Sequence, residues 1–536
     1  MSANLTSRFG WIFLLWLLLV VVVIVTHSFI PIDETRYVTV AWNMWLSGDW
    51  LVPHLNGAAY SDKPPMLFWL MNAGWYVFGV NEWWPSLMSA LFALANLWLT
   101  ARLALKLWPE QRALAADAML ILFGAVLWAL FTAATMFDML VTFFTLLGLH
   151  GLLLAWRGKR LVGWLLFGLA IGGGLLAKGP VIFLQLLPVA LLAPWWCVEK
   201  RSWAAWYAAL CAACLCGLVL ALAWAIPAGM RGGETYQNAI FWGQTAHRMV
   251  ESFAHKRAWW WYIMLAPALF FPWIFWRPFW SGMRRLPGIM SEPGVRFVIA
   301  WFVPVFAGFS LISGKQIHYL LPIYPAFALF LARIFPLAGN GKKDHVPALL
   351  VTLFLALLLL YLPGHVQQHE LPMWVEHLPA WGAGVLALGA VLLWLAAARR
   401  RLSDLWSLAL ISVLISALCH GYLIHSAGGA YDVRAMSARV KQLQDAAIPV
   451  ANFGAYPGTY NFLGRLTHSP DVLGRATVQP WLEQHPEGRV LIYPDQQNPI
   501  TPDEAEFVQF YRTGQAAIVN RQQFERICIE QRYRCE

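Results

Sequence analysis

A chain of 536 residues with 59% hydrophobic and only 12% charged residues cannot cover its apolar surface with polar groups. Soluble domains carry about 25% charged residues, so lipid has to do the covering. The net charge of +10 falls in short loops between apolar blocks, which reads as membrane orientation, and no Lys/Arg-rich arm with interleaved aromatics points to nucleic acid.

The apolar residues come in blocks of roughly 18–24, each long enough to cross a hydrocarbon core of about 30 Å as a helix. Apolar length predicts about thirteen spans, at 10–29, 86–107, 113–131, 138–156, 161–177, 180–196, 204–226, 259–280, 295–313, 319–336, 346–363, 380–397 and 405–424. The first block lacks a small-residue cleavage site after it, so it reads as a span rather than a leader. The basic residues Arg102, Lys106 and Arg112, then Arg157, Lys159 and Arg160, then Lys200 and Arg201 fall in alternate loops. Arg284 and Arg285, Lys342 and Lys343, and Arg399 to Arg401 continue the series. All lie on one side if the N-terminus is cytoplasmic. The outward side then takes loops 30–85, 132–137, 227–258, 314–318 and 364–379, the loop at Lys178, and the tail 426–536.

The first outward loop carries the densest polar chemistry. A polar-interrupted helical stretch, 34–47, can lie in the interface plane, which places Asp33 and Asp62 beside the bilayer surface. Asp49, after Gly48, reads as a turn residue. Asp138 opens the fourth span, and Lys178 closes the fifth within Leu176-Ala177-Lys178-Gly179-Pro180. Lys315, His318 and Tyr319 stand together in the ninth loop. His247 and His255 lie in the seventh, with Gln244, Arg248, Lys256 and Arg257. Ionisable groups at membrane depth are costly unless paired or wet, which makes them functional candidates.

Each has a plainer reading. Lys178 can snorkel, Asp138 can cap its helix, and His318 and Tyr319 can be a packing pair. Arg36 can neutralise Asp33 or Asp62, and the two loop histidines can be surface residues. Against this stands convergence: three carboxylates on the side that also holds Arg36, Lys63, Lys178, Lys315 and Tyr319. Cations there suit a phosphate leaving group, and a carboxylate suits proton removal from a hydroxyl. No Gly-rich phosphate loop follows a strand, and a lipid-anchored donor needs none.

The tail reads as a small α/β domain, with a helix at Ala435–Leu443, a strand at Arg489–Tyr493 and a helix at Arg521–Glu530. Of the seven cysteines, Cys528 and Cys535 lie in this polar tail, where a disulfide can form if it is periplasmic.

The segments Asp33-Glu34-Thr35-Arg36-Tyr37, Gly48-Asp49-Trp50-Leu51-Val52-Pro53 and Tyr60-Ser61-Asp62-Lys63-Pro64-Pro65 resemble the opening of the ArnT-type, protein-mannosyltransferase-like GT-C glycosyltransferases. The likeness runs on through Asp138, Leu176-Ala177-Lys178-Gly179-Pro180 and Lys315-Gln316-Ile317-His318-Tyr319. It implies a polytopic GT-C fold over residues 1–425, with loops 30–85 and 227–258 forming the site and a periplasmic α/β domain at 426–536. It implies inverting transfer of a sugar from a polyprenyl-phosphate donor to a periplasmic acceptor at the bacterial inner membrane, by a monomer with no nucleotide cofactor. Asp33 and Asp138 match the family's acidic catalytic candidates. Arg36, Tyr37, Tyr60, Lys63, Lys178 and Tyr319 match residues that hold the donor phosphate, with Glu34, Lys315 and His318 as secondary candidates. Asp62 stands where a Glu metal ligand is usual, and His247 or His255 would complete a divalent metal site. Aminoarabinose transfer to lipid A is the leading activity this implies. Transfer of a hexose such as mannose to another glycan, lipid or protein is the alternative, and lipid or sugar transport is the non-enzymatic one.

Overall fold

The computed structural model describes residues 5–26, 28–199, 202–242, 256–339, 341 and 343–529. Among them, ten helices are long and apolar enough to cross a membrane. They match ten of the expected spans, and the other three are broken. The third becomes α5 (Ala113–Phe123) and α6 (Val126–Phe131). Its break at Gly124 is a close contact, because a Cβ there would lie 2.6 Å from Ala409 Cβ and 2.9 Å from the Trp273 ring. The sixth splits into α9 (Val181–Leu191) and α10 (Ala193–Trp196). The eighth splits into helices Trp261–Leu269 and Arg277–Arg285 around a short turn at Trp273–Phe275. Apolar length cannot reveal a break whose polar backbone groups are satisfied inside the bundle.

Two helices set the geometry of everything outward of them. Helix α7 (Asp138–Trp156) and helix α8 (Arg160–Lys178) have 19 residues each. At 1.5 Å per residue each is about 28 Å long. A three-residue turn joins them, so the first residue of one and the last of the other come to the same end. They approach closely through small residues: a Cβ on Gly151 would lie 2.6 Å from the Gly163 carbonyl oxygen, and one on Gly163 only 2.4 Å from the Ala155 nitrogen. Small residues at helix crossings are how packing proceeds where lipid removes the hydrophobic drive. Helix α11 (Trp203–Gly232) packs on α8 in the same way, with Gly217 against Ile171.

The first outward loop folds as helix α2 (Asp33–Ser47), a two-stranded hairpin of β1 (His54–Leu55) and β2 (Ala58–Ala59), and helix α3 (Met66–Phe78). Asp49 forms the expected turn, accepting from Leu51 and Val52 backbone N–H at 3.0 and 3.2 Å.

The tail holds a five-stranded sheet in the order β4-β3-β5-β7-β6. The strands are β3 (Val450–Phe453), β4 (Asp471–Leu473), β5 (Arg489–Ile492), β6 (Phe507–Tyr511) and β7 (Gly514–Val519). The β3/β4 and β3/β5 pairs are parallel, while β7 runs antiparallel to β5 and β6. Helices Arg434–Asp445, Arg475–Gln484 and Arg521–Ile529 accompany it. The expected Cys528–Cys535 pairing lies outside the described residues.

The sheet domain is anchored to the first outward loop by a plug. Phe462 is 1% exposed and stacks on Trp75 at 4.9 Å with an 11° interplanar angle. Phe29 and Trp42 meet it edge-on at 5.7 and 6.2 Å. Around the plug, Thr39 Oγ1 donates to the Gly458 carbonyl at 2.7 Å and Trp42 Nε1 to that of Leu466 at 2.9 Å. Phe462→Ala should lower stability by about 3–5 kcal/mol, the usual cost of emptying a buried aromatic site. Thermal unfolding in detergent and the rate of proteolytic release of the tail would measure it; an unchanged release rate would mean that the plug does not anchor the domain.

Candidate active site

A buried ion pair joins the two helix ends described above. Lys178 Nζ lies 2.6 Å from Asp138 Oδ1, and the side chains are 14% and 3% exposed. Asp138 is the first residue of α7, yet its carboxylate caps no backbone N–H there. It is committed to Lys178, so neither capping nor snorkelling describes the pair. Each charge also sits at the helix end whose dipole favours it, the anion at an N-terminus and the cation at a C-terminus. The Lys178 ammonium stands over the Tyr319 ring, 4.7 Å from its centroid, a cation–π contact. His318 Nε2 is 4.0 Å from the second Asp138 oxygen.

The pair opens into a cavity of about 630 Å³. Its polar lining includes Ser61, Asp62, Lys63, Asp138, Lys178 and Tyr319. Its other walls are apolar, drawn from Leu175, Leu184, Leu218, Leu222, Phe309 and Ile312. One cavity therefore brings cations and carboxylates together with hydrocarbon-like walls.

A second polar cluster adjoins it on α2. Arg36 pairs with Asp33 and lies over the Tyr37 ring at 5.4 Å. Tyr37 packs edge-on against Phe137 at 4.9 Å, one residue before Asp138. Burial disfavours the Arg36 charge, but Tyr60, Tyr37 and Asp33 outweigh it and hold the guanidinium above its ordinary range. Burial, followed by the nearby Asp33 charge, pushes the Tyr37 hydroxyl well above the usual tyrosine range, so it stays a neutral hydrogen-bonding group. Asp138, Lys178, Asp33 and Lys63 all act electrostatically on His318, which ties the α2 cluster to the pocket. Asp33, Arg36, Tyr37 and Tyr60 thus stand beside the cavity, while Asp62, Lys63, Asp138, Lys178 and Tyr319 line it.

Two secondary candidates are occupied elsewhere. Glu34 is 4% exposed and accepts from the backbone N–H of Ile30 at 2.8 Å and of Thr135 at 2.6 Å. It ties the start of α2 to loop 132–137, which fixes Asp33 and Asp138 relative to each other. Lys315 is buried and donates to the Arg257 and Ile312 carbonyls, holding the ninth loop to the end of the seventh and to the ninth span. Both are framework residues by geometry. His247 and His255 lie outside the described residues, and among those described no three His, Cys, Asp or Glu side chains gather to hold a metal. Of the expected ligand set, only Asp62 is placed at the pocket.

Comparison with known proteins agrees with this architecture. Residues 62–230 match the family described as dolichyl-phosphate-mannose-protein mannosyltransferase. An undecaprenyl phosphate-alpha-4-amino-4-deoxy-L-arabinose arabinosyl transferase of Pseudomonas paraeruginosa is 33% identical over 377 residues, a match covering 66% of this chain and 66% of that protein, just under two thirds of its length. A Pseudomonas fluorescens arabinosyl transferase of the same name, numbered 1, is 30% identical over 419 residues, covering 75% of this chain and 73% of the relative. The chain belongs to the ArnT-like GT-C glycosyltransferases. The fold agrees at greater distance. The crystal structure of ArnT from Cupriavidus metallidurans bound to undecaprenyl phosphate superposes with a TM-score of 0.73 at 19% identity, over 96% of this chain and 99% of that one.

Within this ArnT-like chain, the apolar half of the pocket was the part that residue reading missed. Leu218, Leu222 and Phe309 lie inside ordinary hydrophobic spans, and nothing in such a run separates a wall facing a ligand from one facing lipid. The clamp role of Glu34 was equally hidden, because its partners are backbone groups 4 and 101 residues away. Glu34→Ala should leave two buried N–H groups without an acceptor and cost roughly 2–4 kcal/mol. Glu34→Gln, which keeps one acceptor oxygen, should cost less. Thermal unfolding of both variants checks this; equal and negligible losses would remove the clamp.

Proposed function

We propose that this protein transfers a sugar from a polyprenyl-phosphate donor to a periplasmic acceptor, and that the donor is an undecaprenyl phosphate-linked 4-amino-4-deoxy-arabinose or a close relative delivered to lipid A. The observation that carries the reading is the mixed lining of one cavity, with Lys63 and Lys178 beside Asp138 and leucines of α8 and α11 in the same space. A lipid phosphate needs both in one continuous space. The names of the relatives support the donor, and the loop charges support a pocket that faces away from the cytoplasm.

In this reading the carrier chain lies along Leu184, Leu218 and Leu222, and its phosphate meets Lys178 and Lys63, with Arg36 and the Tyr60 and Tyr319 hydroxyls nearby. An ammonium has three donors, so Lys178 can keep Asp138 and take a phosphate oxygen as well. The acceptor oxygen attacks the anomeric carbon from the face opposite the phosphate. The carbon–oxygen bond to phosphate breaks with inversion, and the electron pair leaves with the carrier phosphate. The cations stabilise that charge as it develops. A hydroxyl acceptor must also lose a proton, and Asp33 is the carboxylate assigned to take it. A lipid A phosphate is already anionic and needs no such base. Asp138 holds Lys178 and offers its second oxygen toward the sugar. The expected divalent cation rests on Asp62, and no step here runs through it. The protein is expected to work as a monomer.

The deciding experiment incubates purified protein with defined polyprenyl-phosphate sugars and an envelope lipid extract, read by mass spectrometry. Sugar appearing on an acceptor lipid supports the proposal. Sugar crossing the bilayer of a vesicle without transfer would sink it in favour of transport, and preferred transfer of a hexose would correct the donor. Lys178→Gln should lower kcat/KM by about 100-fold or more, as loss of a charge that stabilises the leaving group does, with weakened binding of undecaprenyl phosphate. Asp33→Asn should abolish transfer to a hydroxyl acceptor while sparing transfer to a phosphate; equal activity with hydroxyl acceptors would remove its role as base.

A further inference from the structure

The pair with Lys178 uses one oxygen of Asp138. The other, Oδ2, is buried and has no hydrogen-bond partner among the described residues. A buried acceptor in that state costs free energy unless a donor reaches it. The imidazole of His318 faces it, with Nε2 at 4.0 Å. His318 is itself buried and held between two rings, edge-on to Tyr319 at 4.8 Å and 90°, and against Phe131 at 5.8 Å. That packing keeps Nε2 from swinging toward the carboxylate. A 4.0 Å separation is too long for a direct hydrogen bond. It suits a bridged one, since an atom about 2.8 Å from each partner would sit at an apex angle of about 90°. Asp138 lines the cavity and His318 does not, so a group bridging the two would be a small substituent rather than a whole ring.

We propose that Asp138 Oδ2 and His318 Nε2 together hold one hydroxyl or amino substituent of the donor sugar, making His318 a specificity-determining residue. This rests on the reading of the cavity as a donor-sugar site. A hydroxyl donates to the carboxylate and accepts from Nε2–H, whereas an amine donates to both, with Nε2 as acceptor. Lys178 bonds the other oxygen of the same carboxylate at 2.6 Å. The bridged group therefore lies a few ångströms from the phosphate that Lys178 receives, which puts it on the sugar ring rather than on the carrier chain.

The test compares full-length wild type, His318→Ala and His318→Gln. The donors are undecaprenyl phosphates carrying 4-amino-4-deoxy-L-arabinose, L-arabinose, and a set of arabinoses each lacking one ring hydroxyl. Transfer is read by mass spectrometry, and binding of undecaprenyl phosphate alone is measured beside it. His318→Ala should lower kcat/KM by about 10- to 100-fold, the worth of one hydrogen bond in a charged network. Whether the amino or the hydroxy donor suffers that loss identifies the bridged group. The loss should vanish with the one deoxy donor that lacks it, and His318→Gln should recover part of the activity. Undecaprenyl phosphate binding should stay within about twofold of wild type, because the carrier makes no contact there. Equal losses across all donors, or a parallel loss of undecaprenyl phosphate binding, would assign His318 to packing and overturn the inference. Active wild type with unaffected variants would overturn it too. A wild type inert with every donor overturns the donor-site reading itself, and the inference falls with it.

Discussion

The buried contact between Asp138 and Lys178 governs the arrangement of the whole outward face. Two charges at that depth are tolerated because each supplies what the other lacks, and because each sits at the favourable end of its own helix dipole. Removing either partner leaves an uncompensated charge in a low-dielectric site, which is far more damaging than the modest net worth of the intact pair. The contact also needs α7 and α8 to be equal in length and closely packed. The approach of Gly151 to Gly163 and the matching 19-residue helices meet that need. A helical turn added to one partner would move its end about 5.4 Å along the axis and carry the ammonium beyond reach of the carboxylate.

Around this fixed point, backbone and aromatic contacts help to tie down three distant parts of the chain. Glu34 pins the start of α2 to loop 132–137, and through it Asp33 is held near Phe137 and Asp138. Lys315 pins the loop ahead of His318 and Tyr319 to the preceding segment. Phe462 fastens the sheet domain onto α2 and α3 from the other side. These contacts lie off the cavity, so the groups that line it can bind and release a charged ligand without dismantling their own support. Preorganisation of this kind is what lets fixed charges stabilise a transition state without reorganisation at the moment of reaction.

Much of this was legible in the sequence for a definite reason. A charged residue at the edge of an apolar block is rare enough to carry information, so Asp138 and Lys178 stood out, and their spacing of 40 residues matches one helix down and one back. The polar first loop announced itself by composition. The tail elements at Ala435–Leu443, Arg489–Tyr493 and Arg521–Glu530 were expected within a residue or two of helix Arg434–Asp445, strand Arg489–Ile492 and helix Arg521–Ile529. What stayed hidden shares one property: it depends on partners distant in the chain. The break at Gly124 is set by Ala409 and Trp273, and the jobs of Glu34 and Lys315 are set by carbonyl and amide groups that carry no residue-type signature. Phe462 reads as any core phenylalanine until Trp75 is seen lying flat against it.

The mixed lining of the cavity has a consequence for how selectivity can arise. The apolar walls would grip a hydrocarbon chain with little regard to what it carries, and the cations would grip any phosphate. Neither distinguishes one sugar from another. Discrimination has to come from polar atoms near the phosphate that are not already satisfied by protein, since a site built to hydrogen-bond a substituent rejects analogues lacking it far more strongly than an apolar wall can. Arg36 is held by Asp33 and lies against Tyr37, and Lys178 holds Asp138 Oδ1. Glu34 and Lys315 are consumed by the framework. Among the groups whose partners are described, the buried, unpaired Oδ2 of Asp138 and the imidazole facing it are where the proposed donor's sugar would be read. On the proposed reading the same carboxylate couples two tasks, orienting the cation meant for the phosphate and reading the ring attached to it, so that a misplaced sugar would also disturb the placement of Lys178.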